Sequence, residues 1–88
     1  MRRRISFQDD AFKDYRDWAT DDPAIFKKIN QLLEDIQRSP FLGLGKPEPL
    51  RHSRKGFWSR QITLEHRLVY KIVDEEIRVT ACKYHYKD

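Results

Sequence analysis

The spacing of apolar residues predicts two helices in the first half of the chain. In the first helix the apolar residues recur every three to four positions, at Phe12, Tyr15, Trp18 and Ala19. The run Asp21-Asp22-Pro23 interrupts this helix, and proline suits the first position of the next one. The second helix carries an apolar stripe formed by Ile25, Ile29, Leu32, Leu33 and Ile36. It ends near Ser39, because Pro40 cannot continue it, so the pattern predicts a helical hairpin.

Short runs rich in β-branched and aromatic residues predict four strands. Arg3 to Phe7 precedes the helices, and three runs follow residue 56: Phe57 to Thr63, His66 to Val73 and Glu76 to Tyr84. Two-residue turns at Leu64-Glu65 and Asp74-Glu75 would join the last three runs into a meander. We therefore predict one α+β domain over residues 1–88 with the order β-α-α-β-β-β. Its helix hairpin would pack on one face of a small antiparallel sheet.

These turns also predict which side chains share a face of the sheet. The face towards the helices would carry Leu68, Tyr70, Ile72, Ile77, Val79 and Ala81. The opposite face would carry Arg67, Lys71, Arg78, Thr80 and Cys82. This second face is polar and basic, as one side of an antiparallel sheet can be when it faces water.

The positive charge of the chain is concentrated in its second half. Residues 1–45 hold eight Lys and Arg against eight Asp and Glu, although the whole chain of 88 residues has a net charge of +4. Residues 46–73 hold two acids, Glu48 and Glu65, against seven bases: Lys46, Arg51, Arg54, Lys55, Arg60, Arg67 and Lys71. A basic segment interleaved with aromatic residues favours nucleic acid as a partner, the alternative being a basic surface that only aids solubility.

Other features of the composition exclude several classes of protein. Cys82 is the one cysteine, so an internal disulfide is excluded. We find no apolar run long enough for a signal peptide or a membrane span, and we expect a cytoplasmic protein with no membrane partner. The three histidines are far apart in the sequence and no metal-ligand spacing is present, so we expect no metal and no cofactor. Ser59 and Cys82 lack the partners of a catalytic nucleophile.

Two acid-base candidates lie outside the helices. Glu48 stands between Pro47 and Pro49 in a loop, residues 40–56, that contains every glycine of the chain. This rigid backbone would suit a general base, or Glu48 is only an exposed loop residue. His85 near the end could act as a general acid, or it is a frayed terminal histidine. Strict alternation places His85 on the face away from Arg67, unless the strand ends or bulges after Cys82.

Basic and aromatic residues could contact a ribose phosphate backbone. Arg67 lies within a strand, where its guanidinium could hold phosphate oxygens, or it could form an ion pair with Glu65. We interpret Lys46, Arg51 and Arg60 as contacts to the RNA backbone. The candidates for stacking on bases are Tyr86, Phe57 and Trp58, although Phe57 and Trp58 could equally pack in the core. Together these residues suggest metal-free RNA cleavage.

Several runs of the sequence resemble the YoeB/Txe branch of the RelE-type toxins, within the RelE/ParE superfamily. These runs are Pro40 to Leu50, Gly56-Phe57-Trp58-Ser59-Arg60, Glu65-His66-Arg67-Leu68-Val69-Tyr70 and Ala81-Cys82-Lys83-Tyr84-His85-Tyr86. The resemblance implies a RelE-like fold and the toxin component of a type II toxin-antitoxin system. It further implies a ribosome-dependent mRNA endoribonuclease that cleaves in the A site by attack of the ribose 2′-hydroxyl, without metal.

The resemblance also implies roles for individual residues and identities for the partners. The implied catalytic residues are Glu48 as general base, His85 as general acid, Arg67 as phosphate stabiliser and Tyr86 as the residue that orients or stacks the substrate. The implied RNA-binding residues are Lys46, Arg51, His52, Arg60 and Lys83. The implied partners are a YefM-type antitoxin, the 30S ribosomal A site and mRNA, with operator DNA bound only through the antitoxin complex and a homodimer possible.

Three features depart from the family pattern, and two other functions stay open. Gln61 replaces a basic residue that often follows Arg60, Lys87-Asp88 extend past the tyrosine that usually ends the chain, and Arg2-Arg3-Arg4 is an unusual start. The first alternative is a non-catalytic toxin of the same fold that binds and poisons a topoisomerase or the ribosome. The second is a small DNA-binding or ribosome-associated structural protein.

Overall fold

The chain forms two layers, a helical hairpin and a five-stranded sheet. The computed structural model describes residues 2–84. Its elements are β1 (Arg4–Phe7), α1 (Asp9–Asp21), α2 (Pro23–Arg38), β2 (Glu48–Pro49), β3 (Phe57–Gln61), β4 (Arg67–Val73) and β5 (Glu76–Ala81), with a 3-10 turn at His52–Arg54. The strands lie in the order β1-β5-β4-β3-β2. The predicted α+β class and the helical hairpin are confirmed.

The second helix follows its predicted pattern, whereas the first does so only in part. All five residues of the α2 stripe are buried, and the Asp22 carboxylate caps the helix by accepting a hydrogen bond from the Ile25 amide at 3.4 Å. In α1 the buried residues are Ala11 and Trp18, while Phe12 is 46% exposed. Ala19 is exposed as well, so the predicted stripe was displaced by one residue at both ends. Within residues 2–84 neither helix is long and apolar enough to cross a membrane.

The hydrophobic core lies between α2 and one face of the sheet. Ile29, Leu32 and Ile36 are fully buried against the helix-facing strand residues, which are Leu68, Tyr70, Ile77 and Val79. The Trp18 indole of α1 closes one end of this core and donates a hydrogen bond from Nε1 to the Cys82 carbonyl at 3.0 Å. The helices therefore cover one face and leave the other, which we call the open face, to be lined by Glu48, Phe57, Ser59, Gln61, Arg67, Val69, Lys71 and Arg78.

The sheet is mixed, which corrects the prediction of an antiparallel one. β1 pairs in parallel with β5, and Ile5 lies opposite Ile77. The strand order explains the difference, because β1 joins the sheet beside the last strand of the meander instead of beside its own neighbour in sequence. The other three strand pairs are antiparallel.

The loop between α2 and β3 contributes a short strand that the sequence did not reveal. β2 is only two residues long and pairs with β3, with Glu48 opposite Ser59 and Pro49 opposite Trp58. The Leu50 amide continues this pairing with a hydrogen bond of 2.9 Å to the Phe57 carbonyl. Because β2 is an edge strand, proline is tolerated there. The consequence for the site is that Glu48 is fixed to the sheet.

An irregularity in β5 reverses the predicted alternation near the end of the chain. Tyr70 pairs with Val79 and Val69 pairs with Ala81, so Thr80 is an extra residue on β5. Ala81 therefore lies on the open face and Cys82 enters the core, the reverse of the sequence prediction. Burial raises the pKa of the Cys82 thiol to about 12, so this cysteine is a core residue and not a reactive one.

Candidate active site

The register of three strands brings Glu48, Ser59 and Arg67 together on the open face. Glu48 lies opposite Ser59, and Arg67 lies opposite Gln61, the residue two positions after Ser59 on β3. The Arg67 guanidinium donates from Nη2 to the Ser59 hydroxyl at 2.8 Å and lies 3.4 Å from Glu48 Oε1. A loop carboxylate and a strand guanidinium are thus in contact although 19 residues separate them.

The Arg67 side chain is held in place without being saturated by hydrogen bonds. It is 13% exposed, and its Nε is buried with no hydrogen-bond partner within residues 2–84. Buried polar atoms almost always have partners, so an unpartnered one requires an explanation, and a catalytic role or a bound ion is one such explanation. A guanidinium with free donors on a rigid strand can take up the oxygens of a phosphate and stabilise charge that develops there.

The Glu48 carboxylate is the more accessible member of the cluster. Its side chain is 58% exposed, and an ion pair of 3.4 Å at such exposure contributes little stability. An incoming phosphate can therefore displace Glu48 from Arg67 at small cost. The proposed alternative pair, Arg67 with Glu65, is not formed, because the Glu65 carboxylate lies 3.6 Å from His66 Nε2 instead.

The loop that carries Glu48 contains two residues in an unfavourable backbone conformation. Lys46 has a φ of 51° and His52 a φ of 56°, values that residues other than glycine seldom adopt. Such conformations persist only where the surroundings impose them, and they are common at functional sites. Both side chains, together with that of Arg51, are exposed around β2. The predicted RNA-binding residues Lys46, Arg51 and His52 are therefore accessible from solvent beside Glu48.

The structure contradicts the prediction that Arg60 contacts RNA. Arg60 alternates with Ser59 on β3, faces the helices and is fully buried. Its guanidinium pairs with the Asp35 carboxylate at 2.5 Å, and its remaining donors reach the Tyr70 hydroxyl and the backbone carbonyls of Ser39, Leu42 and Leu44. No phosphate can approach this guanidinium. Arg60 instead anchors the loop that leads from α2 to Glu48.

The Arg60 network also explains a glycine and an acidic pKa. Although its partial burial acts to raise the pKa of Asp35, hydrogen bonds from the Leu44 amide and from Arg60 hold that pKa below its ordinary value of 3.8. A Cβ at Gly43, where φ is 120°, would collide with the Asp35 carboxylate. Gly43 is therefore required both by its backbone conformation and by the space that the ion pair occupies.

The end of the described chain is held next to Arg67. Beyond β5, the Tyr84 carbonyl accepts a hydrogen bond of 3.2 Å from the Arg67 amide, and the Tyr84 amide donates to His66 Nδ1 at 2.8 Å. The predicted catalytic residues His85 and Tyr86 lie outside the described residues. The last described residue before them, Tyr84, therefore lies beside Arg67.

The remaining predicted residues lie around this centre rather than in it. The Lys83 ammonium lies 5.5 Å from the centre of the Trp18 ring, on the side of α1. Phe57 is on the open face beneath the Lys71 ammonium at 5.2 Å, whereas the Trp58 ring contacts Phe41 at 4.8 Å and packs against the core. Of the two aromatic candidates for stacking that lie within residues 2–84, Phe57 is the one on the same face as Glu48.

Sequence reasoning gave no role to two residues that organise the site. The helix pattern gave Asp35 no role, and His66 was only the first residue of a predicted strand and a member of one run that resembles the family. Alternation along β3 is a signal that could have revealed the first, since a charged Arg60 on the same face as Trp58 requires a buried partner. The contact between His66 and Tyr84 joins residues 18 positions apart, and no local pattern indicates it.

Comparisons with known proteins agree with the fold and with the sequence resemblance. The family model described as YoeB-like toxin of bacterial type II toxin-antitoxin system matches residues 7–86. The toxin YoeB of Escherichia coli K12 is 49% identical over 83 residues, which cover 94% of this chain and 99% of the relative.

Solved structures of similar proteins superpose over nearly the whole chain. The YoeB/ParE toxin from Agrobacterium tumefaciens is 40% identical with a TM-score of 0.92, covering 94% of this chain and 99% of that one. The YoeB dimer from Staphylococcus aureus is 45% identical with a TM-score of 0.91, covering 98% and 100%. With a family model, a close relative and solved structures in agreement, this chain belongs to the YoeB family of toxins of bacterial type II toxin-antitoxin systems.

Proposed function

We propose that this toxin is an endoribonuclease that cleaves mRNA in the ribosomal A site, by attack of the ribose 2′-hydroxyl and without a metal ion. The observation that carries the proposal is the Arg67 guanidinium, which is fixed beside Glu48 with an unpartnered Nε in the described part of the chain. An open sheet face suits a polymer that another macromolecule presents. Because ribosomes are its site of action, the toxin acts in the cytoplasm.

Glu48 and Arg67 divide the first half of the reaction between them. Arg67 binds the scissile phosphate and offsets the additional negative charge of the phosphorane. The phosphate replaces Glu48 as the partner of Arg67, and the freed carboxylate removes the proton from the 2′-hydroxyl. The sheet register supports this division, because it holds both groups on one face at 3.4 Å.

His85 and Tyr86 complete the site from the end of the chain. His85 donates a proton to the leaving 5′ oxygen, and Tyr86 orients or stacks the substrate. Neither lies in the described residues, and the support for their role is the position of Tyr84 beside Arg67. Lys46, Arg51, His52 and Lys83 add contacts to the RNA backbone or to ribosomal RNA, of which the first three have exposed side chains.

The antitoxin partner is of the YefM type. A solved heterotetrameric complex contains the Staphylococcus aureus YoeB, 45% identical to this chain, together with YefM. A segment with acidic residues would neutralise the open face by covering Arg67 and Lys71, and would order as it binds. The complex with the antitoxin would bind operator DNA.

The Staphylococcus aureus YoeB also forms a dimer, and we expect this chain to form one as well. Light scattering of the purified toxin would detect it.

Mapping of cleavage sites on a translated message tests the proposed function. The purified toxin is added to ribosomes programmed with a defined mRNA in the presence of EDTA at a level that keeps ribosomes intact, and primer extension locates the cuts. We expect cuts within the A-site codon, 2′,3′-cyclic phosphate ends and no cuts in the same RNA without ribosomes. Glu48→Gln should abolish cleavage, while the control Glu34→Gln, an exposed carboxylate on α2, should cleave as the parent does.

Two results would contradict the proposal. Translation arrest with an intact message would favour a non-catalytic toxin that binds the ribosome. Growth arrest with unaffected translation in the purified system would favour a topoisomerase as the target. A third result, cleavage by Glu48→Gln at the parent rate, would contradict the role of Glu48 as general base but not the nuclease activity.

A further inference from the structure

Three hydrogen bonds hold the backbone of the segment that follows the last strand, residues 82–84. β5 ends at Ala81, yet the Cys82 carbonyl accepts from Trp18 Nε1 at 3.0 Å. Two residues later, the Tyr84 amide donates to His66 Nδ1 at 2.8 Å and the Tyr84 carbonyl accepts from the Arg67 amide at 3.2 Å. Both polar backbone groups of Tyr84 are therefore bound, one by His66 and the other by Arg67, the first residue of β4.

The contact with Tyr84 determines which nitrogen of His66 carries the proton. A backbone amide can only donate, so Nδ1 must be the unprotonated, accepting nitrogen and the neutral ring must carry its proton on Nε2. The Nε2 side faces the Glu65 carboxylate at 3.6 Å. Three groups bind the backbone of residues 82–84: Trp18 Nε1, the Arg67 amide and His66 Nδ1. His66 Nδ1 is the acceptor among them, and because it belongs to a side chain, a substitution can remove it without changing the backbone.

The His66 ring is itself rigidly placed. It is 7% exposed, lies edge-on against Trp18 with centroids 4.8 Å apart, and contacts the Tyr84 ring at 5.5 Å. Its backbone closes the turn between β3 and β4, because the His66 carbonyl accepts from the amides of Ile62 and Thr63 and its amide donates to the Thr63 hydroxyl. A fixed ring can impose a fixed position on what it binds.

Tyr84 has a backbone conformation that requires such support. Its φ is 64°, in the left-handed region that residues other than glycine seldom occupy. Its side chain is 59% exposed, so packing alone does not enforce this conformation. Loss of the acceptor at His66 Nδ1 would leave the Tyr84 amide without its partner and would favour an extended backbone that points the following residues elsewhere.

We propose that His66 is a positioning residue of the active site: by accepting a hydrogen bond from the Tyr84 amide at Nδ1, it holds Tyr84 beside Arg67 and so fixes the residue from which the chain continues to the proposed catalytic residues His85 and Tyr86. This inference rests on the proposed function for its consequence in RNA cleavage. His66 touches no substrate and acts only through Tyr84. The contact itself can be measured without any RNA.

A pair of amide substitutions separates this role from simple packing. In His66→Asn the side-chain oxygen can occupy the place of Nδ1, whereas in His66→Gln the amide reaches the place of Nε2. We expect the amide hydrogen of Tyr84 to stay protected from exchange in the parent and in His66→Asn, and to exchange freely in His66→Gln. Core amides such as those of Ile29 and Val79 should stay protected in all three proteins and serve as the folding control.

In the cleavage assay, too, His66→Asn should resemble the parent and His66→Gln should be impaired. We expect His66→Gln to lower the single-turnover cleavage rate on ribosomes by about tenfold, the effect of one lost hydrogen bond, and His66→Asn to stay within about threefold of the parent. Affinity for a 2′-O-methylated RNA, which cannot be cleaved, should fall by less than the cleavage rate in His66→Gln, because the contacts around Glu48 are unaltered and only those that depend on the residues after Tyr84 are weakened.

Each outcome either supports the inference or overturns it. Equal impairment of the Asn and Gln variants, or a protected Tyr84 amide in His66→Gln, would overturn it. If the variants do not fold, the nitrogen chemical shifts of His66 in the parent decide, because a proton on Nδ1 is incompatible with the contact. If the parent does not cleave RNA, the proposed function fails, while the exchange of the Tyr84 amide still decides whether His66 holds the chain end.

Discussion

Arg60 and Arg67 are seven residues apart in the sequence, but they lie on opposite faces of the sheet and differ in how their guanidinium groups are bound. Arg60, on the helix side, is fully buried and bonds to Asp35, Tyr70 and three backbone carbonyls. Arg67, on the open face, has a buried Nε without a partner in residues 2–84 and a long, exposed ion pair with Glu48. The first guanidinium has no capacity left for a ligand, whereas the second does.

The comparison separates arginines that maintain a fold from arginines that can bind substrate. Both belong to the same basic segment, and the charge of that segment alone assigned both to RNA. What distinguishes them is whether the donors are saturated within the protein. A buried guanidinium stabilises the fold only when all of its N–H donors have partners in the protein. A guanidinium on the open face that has unpaired donors can use them to bind a phosphate.

The largest expected effect is on stability, from Arg60. We expect Arg60→Met to lower the free energy of unfolding by about 3–5 kcal/mol, because it leaves the Asp35 carboxylate and three loop carbonyls without their partner. Urea denaturation followed by circular dichroism measures this. The double variant Arg60→Met/Asp35→Asn, which also removes the charge that Arg60 balances, should recover part of the loss. A parent-like Arg60→Met protein with weakened RNA binding would reverse the roles that we assign.

The next effect is on catalysis, from Arg67. Arg67→Met keeps the bulk of the side chain and removes its donors, and we expect the single-turnover cleavage rate to fall by about 10²–10³-fold. The free energy of unfolding should fall by about 1–3 kcal/mol, because the pair with the exposed Glu48 contributes little but the buried Ser59 hydroxyl loses its donor. Stopped or quenched reactions on programmed ribosomes give the rate. Normal cleavage by this variant would remove Arg67 from the mechanism.

A smaller effect is expected on affinity, from Lys46. Lys46→Ala should weaken binding of a 2′-O-methylated RNA and reduce the slope of log affinity against log salt by about 1, because one phosphate contact is lost. Fluorescence anisotropy at several salt concentrations measures the slope. Lys27→Ala is the matched control, since it removes an equal charge from an exposed position on α2. Equal slopes for the two variants would mean that the RNA does not use the loop around Glu48.

The smallest effect is a difference in acid stability that depends on Asp35. Its pKa in the folded protein lies below the ordinary value of 3.8, so its contribution to stability is complete above that value and is lost as the pH falls through the folded pKa. The stability difference between the parent and Asp35→Asn should therefore shrink as the pH falls below 3.8. Other carboxylates titrate equally in both proteins and cancel. A difference that stays constant down to pH 2 would contradict the ion pair.

The elements that the sequence predicted correctly are those that depend on local repetition. The α2 stripe consists of five apolar residues at helical spacing, and each of them is buried. The same reasoning placed Arg67, Lys71 and Arg78 on the open face, where register confirms them. The resemblance implied that Glu48 and Arg67 belong to one active site, but it did not indicate the edge strand that brings them together.

The elements that the sequence did not predict depend on contacts between distant residues. β2 has two residues and one of them is proline, so no propensity indicates it. The extra residue at Thr80 moves Cys82 into the core, and nothing in the residues near Thr80 signals a bulge. The burial of Arg60 depends on an acid from α2 and on carbonyls of a loop. Each of these was decided by tertiary packing.

The comparison of the two arginines can be tested most directly in the unaltered protein. The side-chain Nε–H signals of Arg60 and Arg67 are recorded by NMR while a 2′-O-methylated RNA trinucleotide is added to saturation. We predict that the Arg67 signal shifts as the phosphate binds its guanidinium, and that the Arg60 signal stays in place. A shift of the Arg60 signal with an unchanged Arg67 signal would contradict the assignment of the open face as the site of cleavage.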